Sequence, residues 1–232
     1  MKSQYGRLRP HGLVIPIKMF NTTAIASDLK SSFMEVRYPI MEHFYTIQGE
    51  GYHTGASAYF IRTAGCDVQC WWCDVKDSWD GEKHPLISVK YLCEQVKDSG
   101  ADKVVITGGE PLLHDLQPLT TELKKLAVDV HIETSGSSPL SGTLDWVTLS
   151  PKRFKKPLSE VYEHVDELKV VVLTNKDIEW AESEAQKCPK TARLYLQPEW
   201  DTPASIPLLV DYVKKNPKWV ISLQTHKFLE VP

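Results

Sequence analysis

Seven short runs rich in β-branched, leucine and aromatic residues recur along the chain, separated by stretches of a different period. They are Ala58–Arg62, Lys103–Thr107, Val130–Glu133, Trp146–Leu149, Leu168–Val172, Arg193–Leu196 and Trp219–Leu223. The apolar residues in them are closer to continuous than alternating, as in strands covered on both faces. Between the runs the period becomes helical. Val89, Leu92, Cys93 and Val96 fall at i, i+3, i+4 and i+7. Leu116, Leu119 and Leu123 form a second stripe behind Asp115, a candidate N-cap. Ile206, Leu209, Val210 and Val213 form a third, and Ile178, Ala181 and Ala185 a weaker fourth. Alternating strand and helix signals imply βα units and a mostly parallel sheet. The connections are short for an eight-fold barrel, so the expected fold is an α/β partial barrel with fewer strands or fewer helices. Residues 36–232 read as one domain without repeats or linkers. Residues 1–35 read as a flexible N-terminal extension or the product of an upstream start codon.

Six runs end in a polar or reactive cluster. These are Thr-Ala-Gly-Cys66 after Arg62, Thr107-Gly-Gly-Glu-Pro111, Glu133-Thr-Ser-Gly136, Ser150-Pro-Lys152, Gln197-Pro-Glu-Trp200 and Gln224-Thr-His-Lys227. In parallel α/β folds the ligand sits at the carboxyl ends of the strands. One large site along that rim is therefore expected.

Composition narrows the function. With 42% hydrophobic and 25% charged residues the chain is an ordinary globular protein. Its net charge of −3 offers no basic field for a nucleic-acid backbone. The longest apolar stretches, such as Val170–Leu173, are far short of the about 20 residues a membrane span needs. Residues 1–27 carry Lys2, Arg7, Arg9 and Lys18 without an acid, yet the apolar patch at 13–17 is too short and too proline-broken for a secretory signal. Three of the five cysteines fall within eight residues. Such clustering without an export signal points to a metal site in a reducing compartment, the cytoplasm.

The cluster is Cys66-x3-Cys70-x2-Cys73. Structural zinc usually takes four ligands, commonly as two separated pairs. Here His53 or His84 would have to complete the set. Three thiolates also suit three irons of a [4Fe–4S] cluster, leaving the fourth iron open to S-adenosylmethionine. One electron then cleaves the sulfonium, and the resulting 5′-deoxyadenosyl radical abstracts hydrogen, while the protein orients and shields the cofactor. Trp71 and Trp72, inside the loop, are placed to cover it. Cys93 and Cys188 lie apart and read as packing.

At this spacing the chain resembles the radical S-adenosylmethionine superfamily. Tyr45-Thr-Ile-Gln-Gly-Glu-Gly51, Phe60-Ile-Arg-Thr-Ala-Gly-Cys66, Cys73-Asp74, Thr107-Gly-Gly-Glu-Pro111, Glu133-Thr-Ser-Gly136, Ser150-Pro-Lys152, Leu196-Gln-Pro198 and Gln224-Thr-His-Lys-Phe228 occur in that order. Together, from about Val36 to Pro232, they are similar to the 7-carboxy-7-deazaguanine synthases. The resemblance implies a radical enzyme that converts 6-carboxy-5,6,7,8-tetrahydropterin to 7-carboxy-7-deazaguanine with loss of ammonia, on the route to the tRNA base queuosine. It implies a [4Fe–4S] cluster held by Cys66, Cys70 and Cys73, S-adenosylmethionine, a magnesium ion, a homodimer, and an electron donor such as flavodoxin or ferredoxin.

The resemblance also distributes roles. Ile47, Gln48, Gly49 and Glu50 are expected at the substrate, with Thr107, His226 and Pro232. Arg62 reads as a fork for the substrate carboxylate; the plainer reading is a structural ion pair. Trp72, Cys73 and Asp74 are expected at S-adenosylmethionine, as are Gly109 and Glu110, the latter as an acceptor for its ammonium. Ser150, Pro151 and Lys152 complete one wall of that pocket, and Gln197, Pro198, Glu199 and Trp200 another. Glu133 carries less weight. One departure stands out. Many members place a magnesium-ligating hydroxyl directly after Cys-Asp, whereas Val75 offers no oxygen. Asp74 alone remains as a magnesium candidate, and reduced magnesium dependence follows. Two other readings remain open: an activase of glycyl-radical enzymes, and a non-enzymatic zinc module.

Overall fold

The computed structural model describes residues 36–232; the expected N-terminal extension lies outside them. All seven expected strands are present, with two more before and among them. In chain order the strands are β1 (Arg37–Ile47), β2 (Ser57–Thr63), β3 (Leu86–Ser88), β4 (Lys103–Gly108), β5 (Asp129–Thr134), β6 (Trp146–Leu149), β7 (Glu167–Val172), β8 (Arg193–Pro198) and β9 (Trp219–Ile221). They form one sheet in the order β3-β1-β2-β4-β5-β6-β7-β8-β9. From β2 to β9 every pairing is parallel, while β1 runs antiparallel to both β2 and β3. The fold is the α/β partial barrel expected.

Helices follow where the stripes fell: α1 (Val89–Ser99), α2 (Gln117–Lys124), α3 (Asn175–Ala185) and α4 (Ser205–Lys215), then a short α5 (Thr225–Leu229). Ser88 caps α1 through the Tyr91 amide, and Gly100 ends it in the left-handed conformation at φ 70°. Asp115 sits one residue before the position expected of it: Leu116 is the N-cap of α2, and Asp115 Oδ1 accepts from the Gln117 amide at 3.0 Å. The buried face of α4 is also rotated from the expected stripe. Ser205 and Leu209 are buried, and Leu208, Tyr212 and Val213 pack against the core. Ile206 and Val210 stay 44% and 41% exposed. No α-helix links β5 to β6, and only a 3-10 turn (Ser159–His164) links β6 to β7. The ring of helices is thus incomplete.

Two apolar clusters lie against the sheet. One packs α1 and α2 on β1, β2, β4 and β5; the other packs α3 and α4 on β7, β8 and β9. Cys93 joins the first and Cys188 the second. Burial pushes their thiols up, to about 12 and about 11, so both stay protonated. That leaves the strand ends of the rim to the remaining three cysteines.

Candidate active site

Cys66, Cys70 and Cys73 lie on the loop that follows β2. Backbone bonds anchor its start: Gly65 N–H donates to Ser78 O (2.7 Å) and Cys66 N–H to Trp79 O (3.0 Å). The turn after β4 docks directly on it, with Gly109 N–H donating to Thr63 O (3.0 Å) and Glu110 N–H to Gly65 O (2.9 Å). This backbone-on-backbone approach explains the paired glycines. Gly108 has φ +137°, and a Cβ there would lie 2.1 Å from Thr63 O; one on Gly109 would lie 2.2 Å from Gly65 O and 2.9 Å from Cys66 Cβ.

All five cysteines are free thiols, and burial pushes Cys66 and Cys70 up. The histidines considered as a fourth zinc ligand are engaged elsewhere. His53 packs on His131 and Trp146, with ring centroids 4.6 and 4.7 Å apart, and His84 Nε2 bonds Asp77 O at 2.8 Å. Among the described residues, no three His, Cys, Asp or Glu side chains gather on a single ion. Trp72 is half-buried, edge-on to Phe154, whereas Trp71 is 65% exposed at the cavity mouth. Only one of the two tryptophans expected to cover the loop is tucked in.

The loop opens into a cavity of about 570 Å³ at the carboxyl ends of the parallel strands. Every residue that the sequence assigned to the site lines it except Pro151, which is buried. The cysteines and the Gly109–Glu110 turn form one end. Gln48, Gly49 and Glu50 enter from the turn after β1, which reaches across to the segment after β9. Gly51 N–H donates to Ser222 Oγ (2.9 Å), and the Thr225 amide and hydroxyl both donate to Gly49 O (2.9 and 3.0 Å). His226 packs so closely on Gly49 that a Cβ there would fall 2.1 Å from its Nδ1.

The polar floor is a network. Gln48 Nε2 donates to Glu133 Oε1 (2.9 Å) while its Oε1 accepts the Glu50 amide (3.0 Å). Glu50 accepts from Gln224 Nε2 (2.9 Å) and from the ammonium of Lys169. Burial works against the Glu50 charge, but Lys169 and Gln224 hold its carboxyl below the usual carboxylate range. Arg62 makes the ion pair of its plainer reading, Nε donating to Glu42 (2.7 Å), and also lines the cavity.

The acids and the lysine expected at S-adenosylmethionine are bound within the protein. Glu110, 1% exposed, accepts from Leu112 N–H (3.1 Å), Thr134 Oγ1 (2.5 Å) and both the amide and hydroxyl of Ser135 (2.8 and 2.5 Å). Four donors occupy the lone-pair directions of its carboxylate. Lys152 donates to Ser150 O and Oγ, and burial holds its ammonium below the ordinary lysine range. Glu199 accepts from the Asp201 amide (3.2 Å) and Thr202 Oγ1 (2.5 Å). Lys169 also lines the cavity without having been selected from the sequence, and Gln224, Thr134 and Ser135 line it from within motifs whose roles were given to other residues. A lysine inside the apolar run Leu168–Val172 was the available signal for the first.

Comparison with known proteins agrees with this geometry. Residues 60–171 match the Radical SAM superfamily. The 7-carboxy-7-deazaguanine synthase of Flavobacterium psychrophilum is 52% identical over 195 residues, covering 84% of this chain and 92% of that protein. The enzyme of the same name from Synechocystis is 47% identical over 201 residues, covering 87% and 97%. The crystal structure of QueE from Escherichia coli superposes with a TM-score of 0.76 at 35% identity, over 84% of this chain and 97% of that one.

Proposed function

Since the chain belongs to the 7-carboxy-7-deazaguanine synthase family of radical S-adenosylmethionine enzymes, we propose a division of that family's reaction among its own residues. The protein turns 6-carboxy-5,6,7,8-tetrahydropterin into 7-carboxy-7-deazaguanine with loss of ammonia, a lyase step in queuosine biosynthesis. The observation that carries the reading is the meeting of the cysteine loop, the Gly-Gly-Glu turn and the Gln48–Glu50 floor in one cavity.

The donor set fits the cofactors of the family. Three free thiols share one loop, and the Gly108–Gly109 turn is kept bare of side chains beside Cys66. Cys66, Cys70 and Cys73 would hold a [4Fe–4S] cluster. When bound, the cluster and S-adenosylmethionine supply the one-electron chemistry that starts the reaction. Trp72, Asp74, Gly109, the Ser150–Lys152 segment and the Gln197–Trp200 segment form the cofactor wall. Glu110 serves it by fixing the turn, since its oxygens are taken by the protein. On the substrate side the guanidinium end of Arg62 grips the carboxylate. Gln48, Glu50, Thr107 and His226 present hydrogen-bonding groups to the ring edges, and Ile47, Gly49 and Pro232 give shape. Holding the reacting carbon still against the cofactor is the protein's main contribution.

Magnesium does not fit a site made by these residues. Asp74 Oδ2 is occupied by Lys227 Nζ (2.8 Å) and Gln224 Nε2 (3.1 Å), and Val75 supplies no oxygen. Reduced dependence on the ion follows, and no step is assigned to it. Homodimer formation, a flavodoxin- or ferredoxin-type donor and a reducing, cytoplasmic setting complete the reading. Among the described residues no helix is long and apolar enough to cross a membrane. The ordered motifs and the named relatives weigh against a glycyl-radical activase.

The test is an anaerobic incubation of the reconstituted protein with reductant, S-adenosylmethionine and 6-carboxy-5,6,7,8-tetrahydropterin. Deazaguanine carboxylate is the expected product. A protein that carries its cluster and binds S-adenosylmethionine yet makes none would refute the assignment, as would parent-rate sulfonium cleavage after Cys70→Ser.

A further inference from the structure

A buried ammonium lies at the Gln48–Glu50 floor of the cavity. Lys169 is the third residue of β7, with only 5% of its side chain exposed. It sits between the carboxylates of Glu50, to which it donates, and Glu133, 3.7 Å away. Glu167, two residues earlier on β7, is also buried. An unpaired ammonium does not persist in such surroundings, and neither does an unpaired carboxylate.

The two carboxylates are not held alike. Glu133 has an independent tether in Gln48 Nε2. Glu50 has Lys169 on Oε2 and the Gln224 amide on Oε1. Lys169 is therefore the only cationic partner of Glu50 among the described residues. Each carboxylate oxygen carries two lone pairs, so both oxygens of Glu50 keep acceptor capacity, and Glu50 lines the cavity.

We propose that Lys169 is a positioning residue for the reaction: its ammonium keeps Glu50 ionised and aimed as an acceptor for the N–H donors of the bicyclic substrate. The proposal rests on the family reading of the cavity. The groups facing the Lys169–Glu50 pair are Glu133 from β5, Glu167 from β7, Gln48 and the Glu50 amide from the β1–β2 turn, and Gln224 after β9. Asp74 and Lys152 act at longer range. Burial and the Asp74 charge push Glu50 towards protonation, and Lys169 and Gln224 oppose them. Removing the ammonium therefore raises the pH at which Glu50 takes a proton.

The test compares parent, Lys169→Met, Lys169→Arg, Glu50→Gln and the Glu50→Gln/Lys169→Met pair as reconstituted holoenzymes. The readouts are pterin affinity and the pH profile of kcat/KM, with product formation by the parent as control. Lys169→Met is expected to weaken pterin binding at least tenfold and to move the acid limb up by about one pH unit. Lys169→Arg, which keeps the charge, should restore most of the limb. The double variant should bind pterin within threefold of Glu50→Gln alone, because Lys169 acts through Glu50. This last comparison stands even if the lone Lys169→Met protein, with its uncompensated buried carboxylates, does not fold. An unmoved acid limb with normal affinity in Lys169→Met, or a further tenfold loss in the double variant, overturns the proposal. A parent that forms no product under these conditions overturns the family reading instead.

Discussion

Replacing Glu110 with alanine separates a structural clamp from a ligand group. In the intact protein its carboxylate joins the turn after β4 to the end of β5 by accepting from Leu112, Thr134 and Ser135. Removing it lets the Thr134 and Ser135 hydroxyls rotate; Ser135 already has Ser137 Oγ at 3.2 Å. The amides of Leu112 and Ser135 have no such freedom. Each stranded buried donor costs about 1–3 kcal/mol, and water from the adjoining cavity reduces the sum, so about 3 kcal/mol is expected. For a domain of this size each kcal/mol lowers Tm by about 2–4 °C, giving a fall of about 6–12 °C. Anaerobic circular-dichroism melts of parent and Glu110→Ala holoenzymes measure it, with S-adenosylmethionine affinity recorded on the same samples. A melt within about 2 °C of the parent, combined with a tenfold loss of affinity, would show that the carboxylate serves the cofactor's ammonium and that the clamp argument is wrong.

Three further outcomes follow from the same geometry. Gly49→Ala puts a Cβ 2.1 Å from His226 Nδ1, and displacing that ring should cost roughly tenfold to a hundredfold in kcat/KM for the pterin; unchanged kinetics with normal cluster absorbance would refute the packing. Glu167, pushed up to about 7 by burial, binds a proton more tightly folded than unfolded. Its stabilising contribution is complete below the unfolded carboxyl value and is lost as pH rises towards 7, by up to about 3 kcal/mol at roughly 1.4 kcal/mol per pH unit. Glu167→Gln should therefore gain on the parent in urea melts between pH 5 and 8, and parallel pH curves would contradict this. Chelator treatment should leave most turnover intact, since Lys227 already sits on Asp74 and Val75 has no ligand atom; a large loss reversed by magnesium would refute the weak-metal reading.

How much of this was legible in the sequence depended on whether an element answers to local pattern or to distant neighbours. The parallel strands run between helices and bury both faces, so their continuous apolar runs announced them. β1 was missed because it carries Pro39, Glu42 and His43 and is mostly half-buried, giving neither a continuous run nor a clean alternation. The three-residue β3 is too short to show a period. In α4, consecutive Leu208, Leu209 and Val210 fit more than one face, and packing on β8 and β9 chose the face without Ile206 and Val210. The same division runs through the site. Cysteine spacing and strand-end clusters are local, and with the family resemblance they found about half of the cavity's lining. What a carboxylate does there is not local. Glu110 looked free to receive a cofactor until the end of β5 supplied its donors, and Lys169 looked like part of a strand until the turn after β1 brought Glu50 onto it. Motifs thus located the chemistry, while the assignment of each charged group had to wait for the strand that closes over it.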